Sequence, residues 1–267
     1  MPLPNAHTSP EVILLTGGAQ RVGLYCAQAL QQAGYQLIVT YRTEHAAVAQ
    51  LRQAGVICLA ADLTSLPAIA QLVAEVRAVT PKLRALIHNA SAWQKDLPLP
   101  VAPSADAATD PAVLLQQLQA DAEVFDAMQH IHSRAAYLLN RAFLPLLQAQ
   151  TAAGGQADII HLTDFVASVG SEKHQAYAAS KAALENLTFS LARQLAPAIK
   201  VNAIAPALLM FNAGDSPDYQ QQALAKSLLG VAPGPQEVLS TLLYLLQSQY
   251  VTGRVLALDG GRQLRLP

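Results

Sequence analysis

EVILLTGGAQRVG (residues 11–23) carries an apolar run straight into a glycine-rich turn. EVILLT (11–16) has no polar alternation, which predicts a strand buried on both faces. The turn then opens a predicted helix from Arg21 to Ala33, closed by Gly34. Gly17 permits the tight turn and Gly23 permits close packing of helix on strand. The free N–H groups of the first helical turn attract a pyrophosphate. The commonest form of this turn has a third glycine, and here Arg21 stands in its place.

Outward from that stretch the alternation continues. Strands are predicted at 35–41, 56–60, 83–88, 158–163, 199–205 and 255–259. Helices are predicted at 44–53, 66–79, 120–150 with a kink at Pro145, and 174–195, with a short one around 218–228. Strand–helix alternation from end to end predicts an α/β fold, a doubly wound parallel sheet in a single domain. Residues 91–119 and 206–235 interrupt the rhythm. Both follow strands on the carboxyl side of the sheet, where open α/β folds bind ligands. Within the first, 98–119 is expected to be a substrate-side loop.

Composition limits the partners. The 267 residues carry a net charge of −1, with 52% apolar and 13% charged side chains. No basic excess suits a nucleic-acid surface. No run of about 18 apolar residues predicts a membrane span. MPLPNAHTSP lacks the basic start and apolar stretch of a secretion signal, so a cytoplasmic location is expected. Cys26 and Cys58 read as small buried hydrophobes of a reducing compartment, and the seven histidines show no metal-ligand grouping.

The second strand ends Tyr41-Arg42-Thr43. An acidic residue there would hold the ribose of NAD, whereas Arg42 suits a 2′-phosphate, so NADP(H) is the expected cofactor. Asp62, after the third strand, reads either as an adenine-side residue or as a turn former. Tyr177 and Lys181 lie four apart on a predicted helix and face one side. A neighbouring ammonium is expected to favour the tyrosine phenolate. Asp164 lies thirteen residues before Tyr177, at the end of the fifth strand.

TGGAQRVG (16–23), HNAS (88–91), Asp164 with Tyr177 and Lys181, VNAIAP (201–206) and LDGG (258–261) together resemble a short-chain dehydrogenase/reductase over essentially the whole chain. That resemblance implies a Rossmann sheet of about seven strands and a homo-oligomer, dimer or tetramer. It places Gly17, Arg21, Val22, Tyr41, Arg42, Thr43, Asp62, Leu63, Asn89, Ser91, Tyr177, Lys181 and Pro206 along the cofactor. Three departures narrow it: Asp164 where most members carry serine, Arg21 in the turn, and Trp93 after Asn-Ala-Ser. These resemble the pteridine reductase branch.

The branch implies NADPH-dependent reduction of a small-molecule 7,8-dihydropterin, dihydromonapterin-like, to the tetrahydropterin, with weak activity on dihydrofolate. It implies Tyr177, Lys181 and Asp164 as catalytic residues, and Arg21, Ser91, Trp93, Asp164 and Tyr177 at the substrate. Trp93 would stack on the pterin. Arg21 would bridge the phosphates and the pterin edge. Two other functions stay open: an NADPH-dependent ketone or 3-oxoacyl reductase, against which Asp164 counts, and a non-catalytic cofactor binder, against which the Tyr177–Lys181 pair counts. Alignment on Tyr137-Leu138-Leu139 sets His132 where other members carry a relay asparagine. It reads equally as a relay group and as a buried helix histidine.

Overall fold

Seven parallel strands make one sheet in the order β3-β2-β1-β4-β5-β6-β7. The computed structural model describes residues 10–98 and 110–265. The strands are β1 (Val12–Thr16), β2 (Gln36–Tyr41), β3 (Ile57–Ala60), β4 (Ala85–His88), β5 (Ala157–Leu162), β6 (Ile199–Pro206) and β7 (Val255–Leu258). Every predicted strand is present, within about two residues of its expected bounds. The helices are α1 (Arg21–Gln32), α2 (Ala46–Gln53), α3 (Leu66–Val79), α4 (Pro111–Gln129), α5 (Ala135–Ala152), the short α6 (Val166–Val169), α7 (Gln175–Leu195), α8 (Pro217–Leu224) and α9 (Gln236–Gln247).

Successive strand side chains point to opposite faces. Ile13 and Leu15 of β1 pack on one side with Leu30 of α1 and with Leu242 and Leu245 of α9. Leu14 packs on the other with Leu72 of α3 and with Leu139 and Phe143 of α5. Burial on both faces explains the unalternated apolar runs of the strands.

Three expectations are corrected. The loop predicted at 98–119 is helical from Pro111, where Asp110 caps α4 by accepting from Ala112 N at 2.8 Å. Residues 99–109 of that expected loop lie outside the described ones. The single helix predicted at 120–150 is divided: a π-helical turn at His130–Arg134 joins α4 to α5, and α5 contains Pro145. Helix α9 lies in a stretch for which no helix was predicted.

Two polar clusters are buried in the frame. At the amino end of the sheet, the Asp158 carboxylate pairs with the Arg84 guanidinium and lies 3.0 Å from Lys200 Nζ. Arg84 also donates to Leu246 O, and Lys200 donates to Leu245 O at 2.6 Å. The two cations thereby satisfy carbonyls at the end of α9. Inside the core, His88 Nε2 lies 2.7 Å from Asn140 Oδ1, Asn140 Nδ2 lies 3.1 Å from His161 Nε2, and His161 Nδ1 lies 2.8 Å from Thr188 Oγ1.

Candidate active site

The strand ends deliver the site. Beyond the carboxyl ends of β1, β2, β3 and β4 lies a cavity of about 340 Å³. Gly17, Arg21, Val22, Tyr41, Arg42, Thr43, Asp62, Leu63, Asn89 and Ser91 all line it. Ten of the thirteen residues expected along the cofactor therefore converge on one groove. Tyr177, Lys181 and Pro206 are not among its lining.

The floor of the groove is backbone. Gly17 has φ +62°, and a Cβ there would meet Ala90 Cα at 2.7 Å. A Cβ on Gly23 would run into Gly17 O and Asn89 Nδ2. Asn89 donates to Thr16 O at 3.1 Å and to Gly17 O at 2.8 Å, so its amide braces the turn. Arg21 is the one non-glycine residue with positive φ among those described, at +49°. It keeps the backbone form that a glycine would take without strain, and its Nη1 donates to Asn212 Oδ1 at 2.5 Å.

At the far end, Arg42 and Thr43 are exposed in the cavity wall, beside His45. The Tyr41 hydroxyl accepts from Arg52 Nη2 at 2.7 Å, and Arg52 pairs with Glu44 at 2.8 Å. Asp62 accepts from Thr64 N at 2.9 Å and from Thr64 Oγ1 at 2.7 Å. The Thr64 bonds, aided by Arg42, hold its carboxyl below the usual carboxylate range. Asp62 is thus a turn former that also faces the cavity.

The second half of the site comes from β5 and α7. Tyr177, Ser180, Lys181, Leu184 and Thr188 are all buried, and their three- and four-residue spacing marks the inward face of α7. The chain leaves β5 at Leu162, and Asp164 Oδ1 accepts from Val166 N at 3.0 Å, which starts α6. Asp164 Oδ2 accepts from the Tyr177 hydroxyl at 2.9 Å. Lys181 Nζ donates to Leu162 O at 2.9 Å and lies 5.6 Å from the Tyr177 ring centroid.

The electrostatics correct one expectation. Burial and the Asp164 carboxylate push the Tyr177 phenol well up, so it stays a neutral donor. Burial comes first and the Asp164 charge second, and the Lys181 ammonium does not offset them. Burial brings Lys181 down to about 8, opposed by Asp164. Burial raises Asp164, opposed by Val166 N, Tyr177 and Lys181.

His132, on the π-helical turn, is 2% exposed and sits among these groups. Its Nε2 lies 2.8 Å from Ser91 Oγ, its Nδ1 lies 2.8 Å from Ser180 Oγ, and its ring meets the Tyr177 ring edge-on at 5.3 Å. Trp93 stays apart from the cavity lining: the residue is 63% exposed and its ring rests on His174 at 4.2 Å between centroids. His45, Ser180 and Asn212 were not anticipated. His45 shares the loop of Arg42 and was within reach of sequence reasoning; Asn212, 191 residues from Arg21, has no local signal.

A family model described as "Enoyl-(Acyl carrier protein) reductase" matches residues 17–263. The dihydromonapterin reductase of Klebsiella pneumoniae is 47% identical over 97% of this chain and 100% of that protein. That of Escherichia coli K12 is 46% identical over 97% and 99%. The chain belongs to the short-chain dehydrogenase/reductase family, alongside the dihydromonapterin reductases. Among solved short-chain reductases, FolM alternative dihydrofolate reductase 1 from Brucella canis, complexed with NADP, superposes with a TM-score of 0.77. It is 25% identical, with 96% of this chain and 95% of that one covered. As a member of this family the chain binds NADP(H). No helix among the described residues is long and apolar enough to cross a membrane.

Proposed function

We propose that this chain reduces a dihydromonapterin-like 7,8-dihydropterin to the tetrahydropterin with NADPH, and acts weakly on dihydrofolate. One observation carries the reading: the Tyr177 hydroxyl donates to Asp164. In a ketone reductase of this fold, two hydroxyls donate to the substrate carbonyl. Here the phenol hydrogen is already given away and its neighbour is an acceptor carboxylate. Such a corner suits the N–H-rich edge of a pterin. The dihydromonapterin reductase name of relatives at 46–47% identity supports the same substrate class.

The groove fits the cofactor. Bare backbone at Gly17 and Gly23 leaves room for a pyrophosphate, and Arg42 and Thr43 wall the end where a 2′-phosphate would lie. NADPH supplies the hydride for C6 of the pterin imine. The chain's own residues do the rest. Lys181 and Tyr177 flank the reacting end. Asp164, raised by burial, holds a proton more readily than an ordinary carboxylate and shares a hydrogen bond with Tyr177. Trp93, on the loop after Ser91, covers the open face of the pterin, and stacking there aligns the ring and excludes water. Arg21 holds the phosphates and the pterin edge together. The chain works in the cytoplasm as a homo-oligomer.

The match to the enoyl-(acyl carrier protein) reductase family model favours a second reading, reduction of an acyl-carrier or ketone substrate. One experiment separates the two. NADPH oxidation by the purified protein is followed with 7,8-dihydromonapterin, 7,8-dihydrobiopterin, dihydrofolate and a ketone panel. Fast turnover of the pterins and slow turnover of dihydrofolate are expected. Silence on the pterins with turnover of a ketone would overturn the proposal. In the same assay Arg42→Ala should raise the KM for NADPH about ten- to a hundredfold, the loss of one charge-assisted contact, and leave NADH use unchanged. Equal losses for both cofactors would remove Arg42 from the phosphate site.

A further inference from the structure

Hydrogen counting around His132 gives the bonds of the chain Tyr177–Ser180–His132–Ser91 their direction, with the Tyr177 hydroxyl as the other group that Ser91 meets. Ser180 is fully buried, and its Oγ lies 2.7 Å from the Tyr177 carbonyl. A carbonyl cannot donate, so the single hydroxyl hydrogen of Ser180 points there. Ser180 Oγ can then only accept from His132 Nδ1, 2.8 Å away, and Nδ1 carries the hydrogen. Burial and the Lys181 charge bring His132 down to about 2, so the ring is neutral and Nε2 is bare. Ala92 N–H, which can only donate, lies 3.4 Å from Nε2 and agrees with that tautomer. The remaining contact, Ser91 Oγ to Nε2 at 2.8 Å, must be a bond donated by Ser91. Were the Ser91 hydrogen turned to Ala92 O, 3.3 Å away, two lone pairs would face each other at the shorter distance.

Ser91 is exposed to the cavity, and its hydrogen is committed behind it. We infer that His132 is a positioning residue which, held by Ser180 in the Nδ1–H form, turns Ser91 into a hydrogen-bond acceptor facing the cavity, so that the ligand group meeting Ser91 is an N–H donor of the substrate. The identity of that substrate as an amino-bearing dihydropterin rests on the function proposed above. The polarity of Ser91 does not. Ser91 and Tyr177 then both have their hydroxyl hydrogens committed inside the protein, to His132 and to Asp164. The π-helical turn at His130–Arg134 is the device that brings the imidazole inward to this position.

Two measurements test this on the full chain. In nitrogen-15 spectra of histidine-labelled protein, His132 should keep a protonated Nδ1 and a bare Nε2 from pH 6 to 9. A hydrogen on Nε2 would overturn the inference whatever the substrate is. The second is a double-mutant cycle read as KM. Ser180→Ala touches no ligand, yet it should raise the KM for dihydropterin about three- to tenfold, with NADPH within about twofold, and Ser180→Thr should restore it. Ser91→Ala should raise the same KM by a similar factor. In the Ser91→Ala background, Ser180→Ala should add nothing, because the relay has no reader. Additive losses would mean that Ser180 is merely structural. A rise in the KM for NADPH alone would mean that Ser91 meets the cofactor carboxamide, which also overturns the assignment. Wild-type silence on dihydropterin would fail the proposed substrate while leaving the tautomer measurement to stand or fall alone.

Discussion

Tyr177 gives its hydrogen to Asp164, and burial raises that carboxyl, which together set a pH profile. Reduction consumes a proton, so the rate should fall as pH climbs through the raised Asp164 value. A second fall should follow above about pH 8, where Lys181 loses its charge. Asp164→Asn cannot release a proton. Its kcat should drop about a hundredfold or more, and the lower of the two limbs should vanish from the profile of kcat against pH. A variant that keeps the wild-type profile would remove Asp164 from proton handling. Arg21 makes a different prediction. Its φ of +49° costs roughly 1–2 kcal/mol for a residue with a Cβ. Arg21→Gly should therefore hold or raise Tm by a few degrees while the KM for dihydropterin rises. The two effects, read by calorimetry and by kinetics, should move in opposite directions. A strained arginine kept where glycine would be more stable is the pattern expected of a side chain retained for binding.

At the level of elements, the buried Arg84–Asp158–Lys200 group ties β4, β5 and β6 to the end of α9. Asp158→Ala leaves Lys200 without its anion and Arg84 with only the part-exposed Glu11, 3.6 Å away. The cost should be about 3–5 kcal/mol, lowering Tm by roughly 6–20 °C, and urea unfolding checks it. The strands were legible in the sequence because burial on both faces keeps most of their positions apolar, with only scattered polar residues such as Asp158, His161 and Lys200 between them. Tyr177, Lys181 and Asp164 were legible because helix geometry and a strand end fix their spacing. The start of α4 was missed because Leu114, Leu115 and Leu118 are exposed and draw no inward stripe. The Asp110-Pro111 cap was a readable sign. Helix α9 was missed although Val238, Leu242, Leu245 and Leu246 mark its buried stripe. Ser180 was invisible as a site residue, since a buried helix serine has no signature apart from its partners. The phenol's charge state was misjudged because spacing puts Lys181 beside Tyr177 but does not disclose the depth of burial or the bond to Asp164 that outweigh it.

Across the whole molecule, three buried histidines make the fold acid-sensitive. Burial lowers His88 to about 4, His132 to about 2, and His161 well below the ordinary value. The unfolded chain takes up their protons from about pH 6.5 downward and the folded chain does not, so stability falls as pH falls. Between pH 7.5 and 5.5 each contributes a loss of about 1.4 kcal/mol, or about 4 together, opposed in part by the raised Asp158 and Asp164. Calorimetry across that range should record a falling Tm, with a shallower fall for His88→Gln. The sheet also keeps its two kinds of polar group apart. Asp158 lies at the start of β5 and Asp164 just past its end, about 20 Å along the strand direction. Enzymes commonly gain heat resistance at the expense of rate, because the residues that strain a site also destabilise it. Here the ion cluster open to apolar replacement and the residues that choose the ligand stand at opposite ends of the same strands. Hardening this enzyme and retuning its specificity are therefore separable engineering problems.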